Sequence, residues 1–178
     1  PGSPMLRALA SLFFYARFFS RFSRVGLRQR QRAWQAYPER LDGQTWLVTG
    51  ASGGIGAAIA RLAHARGARV LAAARSQQKL DELVQSAGDR ERLIALRVDF
   101  ASVADTRRLV QELRHRGERI DVLVNNVGVL QDRFELTAEG LEASFVTNLL
   151  SHFVLTEGLR AAGLFAPDAA VINMSSVG

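Results

Sequence analysis

The sequence predicts an α/β fold in which helices cover both faces of a doubly wound parallel sheet. Beyond residue 40, short apolar segments typical of strands alternate with longer segments of helical periodicity. The first apolar segment also runs into a helix through a glycine-rich turn, residues 49–56. Strands this apolar are buried on both faces, which is typical of parallel sheets. We therefore divide the chain into a basic arm, residues 1–40, and an α/β domain, residues 41–178.

The arm carries all of the excess positive charge. Residues 1–38 hold seven arginines and no acidic residue, so the rest of the chain must sum to −1 to give the net charge of +6. In a helix, Arg17, Arg21, Arg24 and Arg28 would share one face. The opposite face would carry Leu12, Tyr15, Phe18, Phe19 and Phe22. The pattern predicts a basic amphipathic helix.

Such a helix suits a membrane surface, because its rings enter the head-group boundary while its arginines meet anionic lipid. The apolar stretch 8–16 is much shorter than the roughly 20 residues that a spanning helix needs. We expect residues 5–32 to contact a membrane surface without crossing it. Three alternatives stay open: the aromatic rings dock on the chain's own domain, the arm is a targeting signal, or it binds nucleic acid. The last is disfavoured because no nucleic-acid-binding fold accompanies it.

The first strand, Thr45–Thr49, is followed by the glycine turn and a helix over residues 55–66. A helix start presents backbone N–H groups and a positive dipole end, which together attract a pyrophosphate. Glycines allow the tight turn, close ligand approach and close packing that such a site needs. We predict dinucleotide binding by Gly50, Ser52, Gly53, Gly54, Ile55 and Gly56. Residues 50–54 also fit the G-x-S-x-G nucleophile elbow of hydrolases, but that motif leaves Gly56 unexplained.

The remaining elements continue the alternation. Further strands are predicted at residues 69–74, 93–98, 120–125 and 169–174, and helices at 77–86, 103–116 and 138–162. Right-handed crossovers give the strand order 3-2-1-4-5. The order reverses between strands 1 and 4, so we expect the ligand at their carboxyl ends.

No metal site is predicted. The chain has no cysteine, and His64, His115 and His152 lie far apart within helical segments. Thiolate sites and disulfides are excluded, and these histidines are interpreted as ordinary helix residues.

Three motifs, in this order, resemble the classical short-chain dehydrogenase/reductase family. Residues 49–56 fit its T-G-x-x-x-G-x-G loop, residues 121–128 resemble its N-N-A-G segment, and residues 171–176 resemble the strand that carries its catalytic serine. Val127 departs from the usual alanine. The resemblance covers residues 45–178 and implies a Rossmann fold. It also implies hydride transfer between a nicotinamide cofactor and a carbonyl or alcohol substrate.

The resemblance assigns catalytic positions to Ser176, which would bind the substrate oxygen, and to Asn148. The alternative for Asn148 is a satisfied core amide. The family's catalytic tyrosine and lysine, in a Y-x-x-x-K motif, would follow Ser176 beyond residue 178. We therefore expect residues 1–178 to bind cofactor and to be inactive, or nearly so, by themselves.

Further cofactor contacts are implied after the third and fourth strands. Asp99, with Phe100 beside it, matches the aspartate that binds the adenine ring, although it could instead cap the next helix, a position for which Ser102 is better placed. The turn formed by Asn126, Val127 and Gly128 would face the adenosine ribose. Asn125 is expected to bind neighbouring strands.

The end of the second strand predicts the cofactor. Ala74 occupies the position where NAD-dependent members tend to carry aspartate, and Arg75 follows it. An arginine pairs with a 2′-phosphate, whereas an acidic residue would repel it. We predict a preference for NADP(H) over NAD(H). The alternative is an exposed arginine capping a loop, since Gly53 lacks the second basic residue that many NADP-dependent relatives place in the glycine turn.

Residues 135–156 resemble the branch that contains retinol dehydrogenases and dehydrogenase/reductase member-12-like proteins. Together with the arm, this branch suggests a lipophilic alcohol or ketone. The sequence thus predicts an NADP(H)-dependent oxidoreductase, cytoplasmic and peripheral to a membrane, whose full-length form is a homo-oligomer that binds no nucleic acid. The alternative is a non-catalytic nucleotide-binding or scaffolding relative.

Overall fold

A computed structural model describes residues 11, 13–16, 18–19, 23–34, 38–89 and 91–175. The chain divides into two compact units, Pro1–Pro38 and Glu39–Gly178.

The N-terminal unit does not contain the single amphipathic helix that the sequence predicts. Residues 13–16 and 18–19 are helical, and a separate helix, α1, spans Arg24–Gln31. Between them Ser23 has an extended backbone (φ −103°, ψ 160°), and its side chain accepts a hydrogen bond from the Gly26 N–H at 3.2 Å. Serine is a favoured N-cap, so it starts a new helix here. Arg24 and Arg28 therefore do not share a helix with Tyr15, Phe18 and Phe19, while Leu12, Arg17, Arg21 and Phe22 lie outside the described residues.

The second unit contains a five-stranded parallel sheet in the predicted order, β3-β2-β1-β4-β5. Its strands are β1 (Thr45–Thr49), β2 (Arg69–Ala74), β3 (Leu93–Arg97), β4 (Ile120–Asn125) and β5 (Phe165–Asn173). Its helices are α2 (Gly54–Ala65), α3 (Gln77–Ala87), α4 (Val103–His115), α5 (Ala143–Phe145) and α6 (Ser151–Ala161), with a π-helical turn, Val146–Leu150, joining the last two.

Side chains alternate between the two faces of the central strands, and each face has its own core. Val48 of β1 belongs to a cluster formed with the small residues of α2 and with Leu80 and Leu83 of α3. The adjacent Leu47 belongs to the opposite cluster, formed with leucines of α4 and α6. Both faces of the sheet are thus covered, which explains the continuous apolar strands.

The predicted helix over residues 138–162 is wrong at its start. Gly140 has φ +75°, and the side chain of Glu142 accepts hydrogen bonds from the N–H groups of Ser144 and Phe145, so the first helical residue is Ala143. Polar side chains that satisfy the first N–H groups fix where a helix begins. β5 also begins four residues earlier than predicted, at Phe165.

Candidate cofactor-binding site

A cavity of about 500 Å³ lies at the carboxyl ends of β1, β2, β3 and β4. This edge includes the point where the strand order reverses, which is where open α/β sheets bind ligands. The lining residues that the sequence predicted are Gly50, Ser52, Gly53, Ile55, Arg75, Asp99, Phe100, Asn126, Val127 and Gly128. Eight lining residues were missed: Ala74, Ser76, Lys79, Val98, Ala101, Val129, Gln131 and Thr147. Of the missed residues, Lys79 could have been predicted, because it is a basic residue in the first turn of the helix that follows Arg75.

The glycine turn depends on close contacts that exclude side chains. Gly50 and Gly54 have φ +66° and +53°, a region that favours glycine. A Cβ on Gly56 would lie 2.5 Å from the Asn126 Nδ2 atom and closer still to the Gly50 carbonyl oxygen. Gly54 and Gly56 are not among the residues that line the cavity: Gly56 is buried behind the turn, whereas Gly54 is exposed.

Thr49 joins this turn to the loop after β4. Its buried hydroxyl donates to the Val124 carbonyl oxygen (3.2 Å) and accepts from the N–H groups of Asn126 (2.9 Å) and Val127 (3.0 Å). The Asn126 side-chain Nδ2 donates to the Thr49 carbonyl oxygen at 2.9 Å. The Asn126 amide is therefore a structural tie, although the residue also lines the cavity.

The start of α2 is left without a side-chain cap. Its N-cap, Gly53, offers no side-chain acceptor, whereas the starts of α3 and α4 are capped by the hydroxyls of Ser76 and Ser102. A Cβ on Gly53 or Gly54 would meet no atom within 4 Å, so the space beside this helix start is open. Uncapped N–H groups at a helix start favour an anion.

The end of β2 presents cations to the cavity. Ala74 is buried, while Arg75 is exposed and has no ion-pair partner among the described residues. Lys79 of α3 is exposed on the same lining.

Asp99 does not cap α4. The cap is the hydroxyl of Ser102, which accepts from the Asp105 N–H at 3.1 Å. Asp99 Oδ1 instead accepts from the Ala101 N–H (3.0 Å), and the Asp99 N–H donates to Asp105 (2.9 Å). Phe100 is only 3% exposed and packs in the core, and it also contributes to the cavity lining.

Asn148 lies in the π-helical turn and uses both ends of its amide on one backbone residue. Its Oδ1 accepts from the Val129 N–H (2.8 Å), and its Nδ2 donates to the Val129 carbonyl oxygen (2.9 Å). π-Helical turns are rare and often occur at functional sites. The turn fixes the loop that forms one side of the cavity.

A second cavity, of about 420 Å³, adjoins the other side of Asn148, and it includes His152, Asn173 and Ser175. Burial lowers the pKa of His152, and this effect is partly offset by a hydrogen bond with the Val127 backbone, which raises the pKa. Asn125 binds Asn173 of β5 (2.8 Å), as expected. Ser176 lies outside the described residues, and its role stays a prediction.

The loop between β4 and α5 is tied to α4 by Glu139. Its carboxylate accepts from the N–H groups of Ala104 and Val103, both at 2.9 Å, and from the Ser102 hydroxyl at 3.0 Å. These bonds, led by that of Ala104, lower the pKa of Glu139. Within the described part of the chain, no cluster of three or more His, Asp or Glu side chains could hold a metal ion.

The model of the short chain dehydrogenase family matches residues 44–178. The chain belongs to this family. Mouse retinol dehydrogenase 14 is 34% identical to it over an alignment that covers 98% of this chain and 55% of the relative. The chain spans about half the length of the curated relatives that it matches.

Two solved structures to which the chain is similar are complexes with NADP. A short chain dehydrogenase from Burkholderia cenocepacia in complex with NADP is 30% identical, with a TM-score of 0.63, and the match covers 74% of this chain and 55% of that one. The RhlG/NADP active-site complex from Pseudomonas aeruginosa is 32% identical, with a TM-score of 0.60, and the match covers 70% of this chain and 50% of that one.

We predict that Gly56→Ala will lower the free energy of unfolding by about 1–3 kcal/mol, because the new methyl group overlaps backbone and Asn126 atoms in a packed junction. Gly53→Ala is the matched control, since its backbone is extended and its Cβ would meet open space. The control should lose less than about 1 kcal/mol. Urea unfolding measures the free energy of unfolding of both variants, and equal losses of stability would contradict the close-packing role of Gly56.

A second prediction concerns pH. The folded-state pKa of Glu139 lies below its ordinary value of 4.5, so its stabilisation is complete above that value and is lost as pH falls through the folded pKa. Glu139→Gln should therefore lower the free energy of unfolding at pH 7, and the difference from the unmodified chain should shrink below pH 4.5.

Urea unfolding at a series of pH values tests this expectation. Glu91→Gln is the control, because the Glu91 carboxylate has no partner among the described residues and should show no such trend. A difference that stays constant from neutral to acidic pH would refute the role given to the Glu139 carboxylate.

Proposed function

We propose that this chain is the cofactor-binding half of an NADP(H)-dependent oxidoreductase acting on a carbonyl or alcohol substrate. The observation that carries the proposal is the uncapped start of α2, which opens onto the cavity beneath a glycine turn. A pyrophosphate would replace the missing cap and accept from the helix N–H groups. Open space at Gly53 and Gly54 leaves room for its oxygens.

The preference for NADP(H) rests on charge. Arg75 is exposed on the cavity lining without an ion-pair partner among the described residues, and the preceding residue is a buried alanine instead of an acid. The NADP complexes of two relatives, at 30% and 32% identity, support the same preference. A guanidinium can bind a phosphate through two parallel hydrogen bonds.

The chemistry divides between cofactor and protein. When bound, the nicotinamide would supply hydride to a carbonyl substrate or accept hydride from an alcohol substrate. In this proposal the chain binds and orients it: the bond pair between Asn148 and Val129 holds the loop on one side, and Ser176 would hydrogen-bond the substrate oxygen. The longer protein would supply the proton donor.

A lipophilic substrate fits two features. Leu130 and Phe134, in the loop after β4, are 97% and 74% exposed, so apolar side chains are available close to Val129 of the cavity. The similarity to a retinol dehydrogenase points the same way. The alternative, a non-catalytic nucleotide-binding relative, would bind NADP(H) equally well. Assaying the longer protein for NADPH-dependent reduction of lipophilic aldehydes and ketones separates the two.

Arg75→Ala should weaken NADP⁺ binding by about 10- to 100-fold, because a charge-assisted hydrogen bond contributes roughly 1.5–3 kcal/mol. NAD⁺ binding should change by less than about threefold, since it lacks the phosphate. Calorimetric titration measures both constants. Arg114→Ala, an exposed arginine on α4 away from the cavity, controls for net charge. Equal losses for the two cofactors would exclude Arg75 as the phosphate ligand.

We also propose that the arm attaches this cytoplasmic protein to an anionic membrane surface through residues 5–32. Phe13, Phe14, Tyr15 and Phe19 are between 56% and 71% exposed, an unusual density of solvent-facing rings. Within the described residues, no helix is both long and apolar enough to cross a bilayer. Exposed rings together with seven arginines suit adsorption onto a surface.

The membrane proposal predicts that the chain co-sediments with vesicles containing phosphatidylserine and much less with neutral vesicles. Replacing both Phe14 and Phe19 by serine should weaken binding at least tenfold, since burying each ring contributes about 1.5–3 kcal/mol. Phe134→Ser is the control, because Phe134 is more exposed than Phe14 and Phe19 but lies outside the arm. An equal loss in the control, or equal binding to neutral vesicles, would contradict the proposal.

A further inference from the structure

Lys79 is the single lysine in a chain of 178 residues that also contains 22 arginines, and it lines the cofactor cavity. We propose that Lys79 is a second ligand for the 2′-phosphate of NADP(H), acting together with Arg75 from a different element. This inference rests on the NADP(H) binding proposed above. It would supply the second basic residue that the glycine turn lacks at Gly53.

The first argument is the position of the two cations at the start of α3. Arg75 precedes the N-cap Ser76, and Lys79 lies in the first turn, where no acidic residue is present. The positive end of the helix dipole disfavours cations at this position. Both cations line the same cavity, so their like charges also repel each other. A bound anion between them would remove both penalties.

The second argument is that nearby carboxylates do not neutralise Lys79. Asp81 and Glu82 follow it on α3, but they accept hydrogen bonds from Gln77 (2.8 Å) and Gln78 (3.0 Å). No ion pair joins Lys79 to a described residue. The ammonium group therefore stays available to a ligand.

Four arginines of this unit form ion pairs at 2.7–2.8 Å, namely Arg69 with Glu118, Arg92 with Asp89, Arg108 with Asp105 and Arg160 with Glu157. Other exposed arginines, including Arg114, have no ion-pair partner among the described residues. Arg75 and Lys79 differ from these because both line one cavity. Asp99, a carboxylate on the same lining, already binds the Ala101 N–H through Oδ1.

The chemistry of a phosphate monoester matches this pair. Such a group carries a charge of roughly −1.5 to −2 near neutral pH, which one arginine does not neutralise. Arginine can bind two phosphate oxygens in its plane, and lysine acts as a compact point charge that reaches a third. NAD(H), which has a hydroxyl at this position, would gain little from Lys79.

The first test uses the unmodified chain. Trinitrobenzenesulfonate reacts with primary amines, and Lys79 is the only lysine side chain that it can modify. At saturating concentrations, NADP⁺ should slow the modification by about tenfold, because the phosphate shields the amine, whereas NAD⁺ should slow it less than about twofold. Equal protection by the two cofactors would overturn the inference.

The second test measures dissociation constants by calorimetry. Lys79→Gln should weaken NADP⁺ binding by about tenfold and change NAD⁺ binding by less than about twofold, and Lys79→Arg should retain most of the NADP⁺ affinity. Arg114→Gln removes the same charge from an exposed site away from the cavity and should leave both constants unchanged.

The outcomes separate this inference from the function on which it rests. If the unmodified chain binds neither cofactor, both are overturned. If it prefers NADP⁺ in a manner that depends on Arg75, and Lys79→Gln has no effect, then only the role of Lys79 is overturned. A loss in Lys79→Gln that matches the loss in Arg114→Gln would show a general effect of net charge and would also overturn it.

Discussion

The site depends on the close approach of β1 and β4 at their carboxyl ends. There the turn after β1 packs against Asn126 so tightly that neither Gly50 nor Gly56 has room for a Cβ. One buried hydroxyl, that of Thr49, makes three hydrogen bonds across the gap, and the Asn126 amide makes a fourth. Every backbone polar group in such a dry junction needs a partner. These bonds leave the opposite side of the turn, at Gly53, facing open space.

The helix starts around the cavity differ in charge, and that difference indicates what each would bind. The start of α2 has no side-chain cap, so its N–H groups and dipole would act directly on a pyrophosphate. The start of α3 is capped by Ser76, so fewer of its backbone N–H groups are available to an anion. The positive charge there comes from the side chains of Arg75 and Lys79. The start of α4 is occupied by the chain's own Glu139. The uncapped start of α2 and the two cations at the start of α3 thus face the phosphates of the proposed cofactor, whereas the start of α4 holds a loop.

The sheet and the glycine turn could be predicted because their signals are local. The strand order follows from apolar segments and right-handed crossovers. The turn follows from its glycines, because few backbone conformations require glycine. The start of α5 could not be predicted, because a period of 3.6 residues continues through residues 138–142 and the cap at Glu142 overrides it. Asn148 was identified by resemblance, but its partner Val129 lies 19 residues away and follows from no local pattern. The prediction of one continuous helix in the arm was wrong for a similar reason, because the N-cap at Ser23 starts a new helix within the amphipathic pattern.

The loop between β4 and α5 combines a fixed backbone with free side chains. Asn148 holds it at Val129, and Glu139 holds it ten residues later, through hydrogen bonds to backbone groups at both ends. Between these anchors Leu130 and Phe134 stay exposed to solvent. Exposed apolar side chains on an anchored loop beside a cavity lose little conformational entropy when an apolar ligand covers them, because the backbone is already ordered. A flexible loop would have to be ordered first. If the substrate is lipophilic, as we propose, the anchoring would favour its binding at this edge of the sheet.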